Sequence, residues 1–314
     1  MGSARSIYKA LQLPVCCLLL VSILSLSCKQ SGTEADPVPQ EPTSGQAPRI
    51  IAMAPALTEL LYALGLGKQV VGVCNFSQYP PEVRGLPKVG ALLDPNLEAI
   101  LRLQPDYVII YTHQTTLSEQ LQHLGLKPLA MPGNKLADVY RSIEILGQSF
   151  GVQEQAQTLL TDMRERFKQL QRFSPDISPR LRVMLVVWRD RGLGTLKNIC
   201  VAGNDGFYSE MIQAIGAELL PVNMKLAYPS LGPESILQLN PDLIIEIAPE
   251  LAAKGQKALQ AAHDDWQVLP ELKAVQNGQV YILTDDFMAL PGPRCILAGE
   301  KLAETIAKAA GMPD

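Results

Sequence analysis

Pro95-Asn96-Leu97-Glu98-Ala99-Ile100-Leu101-Arg102-Leu103-Gln104-Pro105-Asp106-Tyr107-Val108-Ile109-Ile110 returns in loosened form as Leu231-Gly232-Pro233-Glu234-Ser235-Ile236-Leu237-Gln238-Leu239-Asn240-Pro241-Asp242-Leu243-Ile244-Ile245-Glu246. The offset is constant: 136 residues separate Glu98 from Glu234, and again Asp106 from Asp242. Each copy reads as a short helix, a Pro-Asp turn and a dense apolar run. A strand with almost no polar alternation is one covered on both faces, as in a parallel sheet flanked by helices. Two such units far apart in one chain predict two like lobes.

Working outward, the same rhythm fills the chain. Short runs rich in Val, Ile and Leu predict strands over Arg49–Ala54, Gln69–Val73, Tyr107–Tyr111, Pro128–Met131, Leu181–Val187, Asp242–Ile247 and Gln279–Leu283. Helical patterns separate them: Thr58–Leu64, Asn96–Leu103, Ser118–Leu124, Ala137–Phe150, Tyr208–Ile215, Pro233–Leu239 and Arg294–Ala310. Such alternation is the mark of βαβ units, hence an α/β class with parallel sheets. One segment breaks the rhythm. From Val152 to Phe173 there is neither Pro nor Gly, and Ala156, Leu159, Leu160, Met163, Phe167 and Leu170 form one apolar stripe. This predicts a helix roughly 30 Å long, acting as a strut between the lobes. The expected organisation is therefore an N-terminal lobe over 49–150, an interlobe helix over 151–175 and a C-terminal lobe over 176–314.

The first residues set the compartment. Arg5 and Lys9 precede an uncharged run from Leu11 to Leu26, too short for a membrane span of about 20 residues but suited to a secretory signal. Leu24-Ser25-Leu26-Ser27-Cys28 then has the form of a lipoprotein cleavage site, with Cys28 as the lipidated residue and 1–28 as the signal. Residues 29–48 are rich in Pro, Ser, Thr, Gly and Glu and lack the apolar surface to fold, so they read as a disordered tether. The expected location is outside the cytoplasmic membrane, periplasmic or at the cell surface, held by a lipid anchor.

A net charge of −4 without long runs of one sign excludes a nucleic-acid surface. Of the cysteines, Cys74, Cys200 and Cys295 fall in the folded part, which allows one internal disulfide at most and does not say which. The three histidines, His113, His123 and His263, have no zinc-ligand spacing. There is no Gly-x-Ser-x-Gly elbow and no Walker loop. The expectation is no catalytic residue, no bound metal and no resident cofactor. An exported α/β enzyme and a zinc or manganese binder using His113 stand as weaker alternatives.

In open parallel sheets ligands sit beyond the carboxyl ends of the strands. Those ends here carry rings: Phe76 after the second strand, Tyr111 ending the third, Trp188 after Val187, and Phe287 with Asp285 and Asp286 after Leu283. Tyr228, in the loop before the second repeat, joins them. With 2 Trp, 9 Tyr and 6 Phe in the whole chain, this concentration matters. Aromatic rings offer wide, rigid contact area, so the cleft suits a bulky, flat or partly apolar small molecule. Glu98 and Glu234 lie in the first turns of matched helices. A carboxylate there is favoured by the helix dipole by about 0.3–1 kcal/mol; matched acids on matched lobes also make two symmetric docking points.

Together these features resemble the substrate-binding proteins of ABC importers for cobalamin, ferric siderophores and haem. The likeness covers Arg49 to the C-terminus. It is carried by Ala54-Pro55-Ala56-Leu57-Thr58-Glu59-Leu60, Val71-Gly72-Val73-Cys74-Asn75-Phe76-Ser77-Gln78-Tyr79-Pro80-Pro81, the Asn96-Leu97-Glu98 repeat, and Pro293-Arg294-Cys295-Ile296-Leu297-Ala298. Within the family it is nearest to the cobalamin binders. The resemblance implies two Rossmann-like lobes joined by a single long α-helix, the helical-backbone type of metal-chelate receptor. It implies a monomer that binds a corrinoid, or alternatively haem or a ferric siderophore, and hands it to a permease dimer with its ATPase. Glu98 and Glu234 fall at the family's permease-docking acids; Phe76, Tyr111, Tyr228 and Asp286 fall at pocket positions. Leu92 and Leu290 depart from the cobalamin pattern, where a Trp and an Arg stand, and the cobalamin binder's cysteine pair is not matched. Arg189 and Arg191, at a strand end, are candidates for the carboxylates of haem or an anionic siderophore.

Overall fold

The computed structural model describes residues 47–172, 180–221 and 226–312. The expected signal, Cys28 and all but the last two residues of the expected tether lie outside the described residues. No helix among the described residues is long and apolar enough to cross a membrane.

The N-terminal lobe runs β1 (Ile50–Ala52), α1 (Pro55–Ala63), β2 (Val70–Val73), α2 (Leu97–Arg102), β3 (Tyr107–Tyr111), α3 (Thr115–His123), β4 (Pro128–Met131) and α4 (Leu136–Ser149). Its four strands are all parallel, in the order β2-β1-β3-β4. Helix α5 (Gln153–Leu170) follows. The C-terminal lobe runs β5 (Arg182–Trp188), β6 (Ile199–Val201), α6 (Phe207–Ile215), β7 (Glu218–Leu220), β8 (Ser230–Leu231), α7 (Pro233–Leu239), β9 (Leu243–Ile247), α8 (Gln256–Asp264), α9 (Lys273–Gln276), β10 (Val280–Leu283) and α10 (Cys295–Ala309). Its sheet has the order β10-β9-β5-β6-β8, with β7 also paired to β5.

This second sheet corrects one expectation. β10, β9, β5 and β7 are parallel, but β6 runs antiparallel between β5 and the edge strand β8. Those strands span three and two residues, too few for any period to show in sequence. Helix α8 was likewise absent from the sequence pattern.

The repeat explains itself in hydrogen bonds. The Asp106 carboxylate accepts from the Arg49 backbone N–H at 2.7 Å, and the Asp242 carboxylate accepts from that of Arg182 at 3.1 Å. Each Pro-Asp turn therefore fastens its strand to the start of the lobe's first strand, β1 or β5. Ile100 and Ile236, equivalent in the two helices, are both fully buried. Asn96 caps α2 by accepting from Ala99 N–H at 2.9 Å, whereas α7 opens on Pro233, two different solutions for the unpaired first-turn donors.

Helix α5 packs on α4 from one lobe and on α6 and α10 from the other. Its buried face, Ala156, Leu160, Met163 and Leu170, belongs to one core that continues into both lobes. Each large side chain so buried contributes about 1.5–3 kcal/mol. The α4–α5 approach is close enough to demand glycine: a Cβ on Gly147 would lie 2.6 Å from that of Ala156. On the outer side, Arg166 grips Glu300 of α10 with two bonds of 2.8 Å.

Candidate functional site

In the order β2-β1-β3-β4 the chain leaves β1 toward β2 on one side and returns to β3 on the other. The carboxyl ends of β1 and β3 thus flank a topological switch point, where side chains of successive loops diverge and leave a crevice. A cavity of about 190 Å³ lies there. Ala54, Pro55 and Ala56 line it from the end of β1, Cys74 and Phe76 from the end of β2, Tyr111 from β3 and Gly133 from the turn after β4. Leu92 completes the near wall, and Leu290 and Pro291 arrive from the C-terminal lobe. The lining is overwhelmingly apolar.

Tyr111 is 7% exposed and stacks on His113 with ring centroids 5.4 Å apart and planes at 15°. Gly133 makes room for it: a Cβ there would fall 2.2 Å from the ring. Burial pushes the Tyr111 phenol well above the usual tyrosine range, and Cys74, Tyr228 and Glu59 add smaller pushes in the same direction. The Cys74 sulfur lies 3.3 Å from Ser77 Oγ.

Phe76 and Tyr111 thus share the cavity. Trp188 and Tyr228 do not line it; both stand half-exposed on the C-terminal lobe. The β5–β6 register sets Trp188 opposite Cys200, whose sulfur approaches the Tyr228 carbonyl at 3.7 Å. Burial raises the Tyr228 phenol, and Cys200 adds to it. Phe287 packs on the core. Asp286 accepts two hydrogen bonds from Arg294, at 2.9 and 3.1 Å. Cys74, Cys200 and Cys295 are all free thiols. Burial lifts Cys295 to about 12. Among the described residues no group of His, Cys, Asp and Glu has a metal-binding arrangement.

Two ionic clusters went unread in the sequence. The first joins the lobes. Glu59, on α1, is 3% exposed and takes two bonds from Arg294, at 2.6 and 2.9 Å. Burial pushes its carboxyl upward, and Arg294 opposes that push. The second corrects the expectation that Arg189 and Arg191 meet a ligand. The Arg189 guanidinium is wholly buried and donates to Glu246 at 3.0 Å, to Asp265 at 2.7 Å and to the carbonyls of Asp190 and Ala262. Arg191 donates to Glu246, Glu250 and the Ile247 carbonyl. Every guanidinium edge is used inside the lobe.

Glu98 and Glu234 stand on the outer surface, in the first turns of α2 and α7. Glu98 contacts Arg102 at 2.5 Å, with both side chains largely exposed. Glu234 is exposed, with no ion-pair partner among the described residues.

The family described as periplasmic binding protein matches residues 50–287. The uncharacterized ABC transporter substrate-binding lipoprotein YvrC of Bacillus subtilis is 30% identical, across 92% of this chain and 95% of that protein. The vitamin B12-binding protein of Photorhabdus laumondii is 28% identical, across 82% and 87%. Among solved structures, the periplasmic vitamin B12 binding protein BtuF of Vibrio cholerae superposes with a TM-score of 0.69 at 28% identity, covering 84% of this chain and 98% of that one.

Proposed function

Because the chain belongs to the periplasmic binding protein family, we propose that it is the substrate-binding component of an ABC importer, held outside the cytoplasmic membrane by a lipid on Cys28, and that its ligand is a corrinoid. A family that binds and hands over its ligand leaves no place for the exported-enzyme alternative. The ligand reading is carried by one observation: the cavity at the switch point is walled by the Phe76 and Tyr111 rings and bordered from the opposite lobe by Leu290 and Pro291. About 190 Å³ holds only a fragment of a bulky chelate, since drug-sized ligands fill roughly 300–1,000 Å³. The rest of the molecule lies across the rim, against Trp188 and Tyr228, with Phe287 and Asp286 at its border. Vitamin B12-binding relatives at 28% identity support a corrinoid over the haem and siderophore alternatives. Glu98 and Glu234 each meet a cation of one subunit of the permease dimer, which works with its ATPase.

Fluorescence titration tests the ligand. Of the two tryptophans, Trp266 is fully buried and Trp188 half-exposed, so Trp188 reports on the cleft and Trp188→Phe is the control. Cobalamin binding with Kd below about 10 μM, or roughly −7 kcal/mol, is expected. Binding of haemin or a ferric siderophore in its place would move the assignment within the family; binding of none would end the metal-chelate reading. The docking reading expects Glu98→Ala with Glu234→Ala to leave that Kd unchanged and abolish uptake.

A further inference from the structure

The cavity's far wall does not come from the lobe that owns its floor. Leu290 and Pro291 reach it from the segment between β10 and α10 of the C-terminal lobe. That segment is fastened to the N-terminal lobe. Gly292 sits on α1, where an added Cβ would come 3.2 Å from the Cβ of Ala56 and 3.3 Å from its Cα. Arg294 holds Glu59 of α1 with Nε and Nη2, at 2.9 and 2.6 Å. Its Nη1 and Nη2 hold Asp286, at the segment's other end, at 2.9 and 3.1 Å. The guanidinium also lies over the Tyr79 ring of the N-terminal lobe, 3.7 Å from its centroid. One arginine thus ties both ends of the segment together and ties the pair to the opposite lobe.

From this geometry we infer that residues 286–294 form a strap that closes the cavity, that Glu59 is the buried positioning residue that holds it shut, and that its release sets access to the floor at Cys74 and Tyr111. The inference rests on reading the cavity as the ligand site, and it does not depend on which ligand enters. The physical reason is the burial of Glu59, whose side chain is 2% exposed. A carboxylate in that position is tolerated only when paired and hydrogen-bonded. Intermediate positions of the strap leave it unpaired, so the strap has two states: seated on Glu59, or lifted with water at the carboxylate. The guanidinium matters as a fork, since it serves two carboxylates at once.

The thiol on the floor reports on the strap without any ligand. Cys74 is 1% exposed, and Cys200, partly exposed on the other lobe, is an internal reference. Alkylation of the full chain, resolved by site with mass spectrometry, gives the ratio of the two rates. Local opening governs the reactivity of a buried group, so Glu59→Ala and Arg294→Ala are expected to raise the Cys74:Cys200 ratio by about tenfold or more. Arg294→Lys, which keeps the charge and loses the fork, raises it less. Arg166→Gln, which breaks the two-bond pair with Glu300 away from the cavity, leaves the ratio unchanged. An unchanged ratio in folded Arg294→Ala overturns the inference, and so does an equal rise in Arg166→Gln, because that reports general loosening. Should Glu59→Ala fail to fold, Arg294→Lys and the exposed-side Asp286→Asn, checked by circular dichroism, carry the same test. Failure of the ligand reading looks different: the strap variants still open, but cobalamin, haemin and ferric siderophores all leave Cys74 unprotected in the parent protein.

Discussion

Ile110 and Glu246 hold the same place in the two halves of the molecule. Each is the fourth residue of the repeat's strand, β3 or β9, and each is fully buried. In the N-terminal lobe the position joins an apolar cluster with Ile51, Met53, Val108, Leu117 and Leu121. In the C-terminal lobe it accepts from Arg189, Arg191 and the Trp266 indole. One residue later the lobes diverge again, with Tyr111 on one side and Ile247 on the other. One backbone frame has been put to two uses. The N-terminal lobe keeps its strand ends apolar, with small residues between the Phe76 and Tyr111 rings, and so leaves a cavity. The C-terminal lobe fills its strand ends with charge. Asp265 of that cluster accepts from Gly192 N–H at 2.6 Å and Gly194 N–H at 2.7 Å, which fixes the loop after Trp188 as a firm rim. A buried charged network is a poor source of stability but specifies one arrangement when every member is satisfied.

The largest expected effect follows from making the lobes more alike. Glu246→Ile copies the other lobe's residue into β9, yet it should destabilise by about 3–5 kcal/mol, because Arg189 and Arg191 then stay buried beside no carboxylate of that strand. Ile110→Val, at the equivalent place, should cost only about 0.5–1.5 kcal/mol. Urea unfolding of the two variants measures both. A Glu246→Ile protein within about 1 kcal/mol of the parent would mean that the arginines are not held by that one carboxylate.

A smaller effect tests the cavity side. Gly133→Ala places a Cβ about 2.2 Å from the Tyr111 ring, so the ring must swing into the space it now borders. Overpacking of this kind costs about 1–3 kcal/mol. Ligand titration of the same variant should show a loss of affinity larger than that of a variant at the rim, such as Leu193→Ala, which lies on the C-terminal lobe's fixed loop. Equal losses at the two sites would place the binding energy at the rim rather than in the cavity.

What the sequence made legible follows the same division. The Pro-Asp repeat and the stripe along α5 were readable because burial on a fixed period leaves a pattern. Phe76 and Tyr111 could be found from the rule that ligands gather at strand carboxyl ends, and both line the cavity. Cys74, Leu92 and Gly133 carry no chemical signature that separates a cavity wall from a core, and Leu290 and Pro291 come from the far end of the chain. Arg189 and Arg191 looked free because their partners, Glu246 and Asp265, are more than fifty residues away. The available signal was an acid inside the otherwise apolar run Leu243–Ile247, just as Glu59 sits between Leu57 and Leu61. A carboxylate set in a largely apolar, buried run demands a cation from elsewhere in the fold.

The smallest difference between the lobes lies on their outer faces. Glu98 and Glu234 open the matched helices α2 and α7, but Arg102, which contacts Glu98 at 2.5 Å, has Gln238 as its counterpart in the repeat. The two proposed docking acids are therefore unequal, since Glu98 must release its own arginine to meet a permease cation and Glu234 has none to release. An exposed pair one helical turn apart is worth about 0.3–0.5 kcal/mol, which corresponds to about a twofold change in affinity. Arg102→Gln should strengthen binding of the full chain to its permease–ATPase complex in nanodiscs about twofold, and Gln238→Arg should weaken it by a similar factor. Both effects should fade as salt shortens the screening length from about 10 Å toward 3 Å. Equal affinities for all three proteins at low salt would show that Arg102 does not compete for Glu98, and that the two lobes present equivalent acids after all.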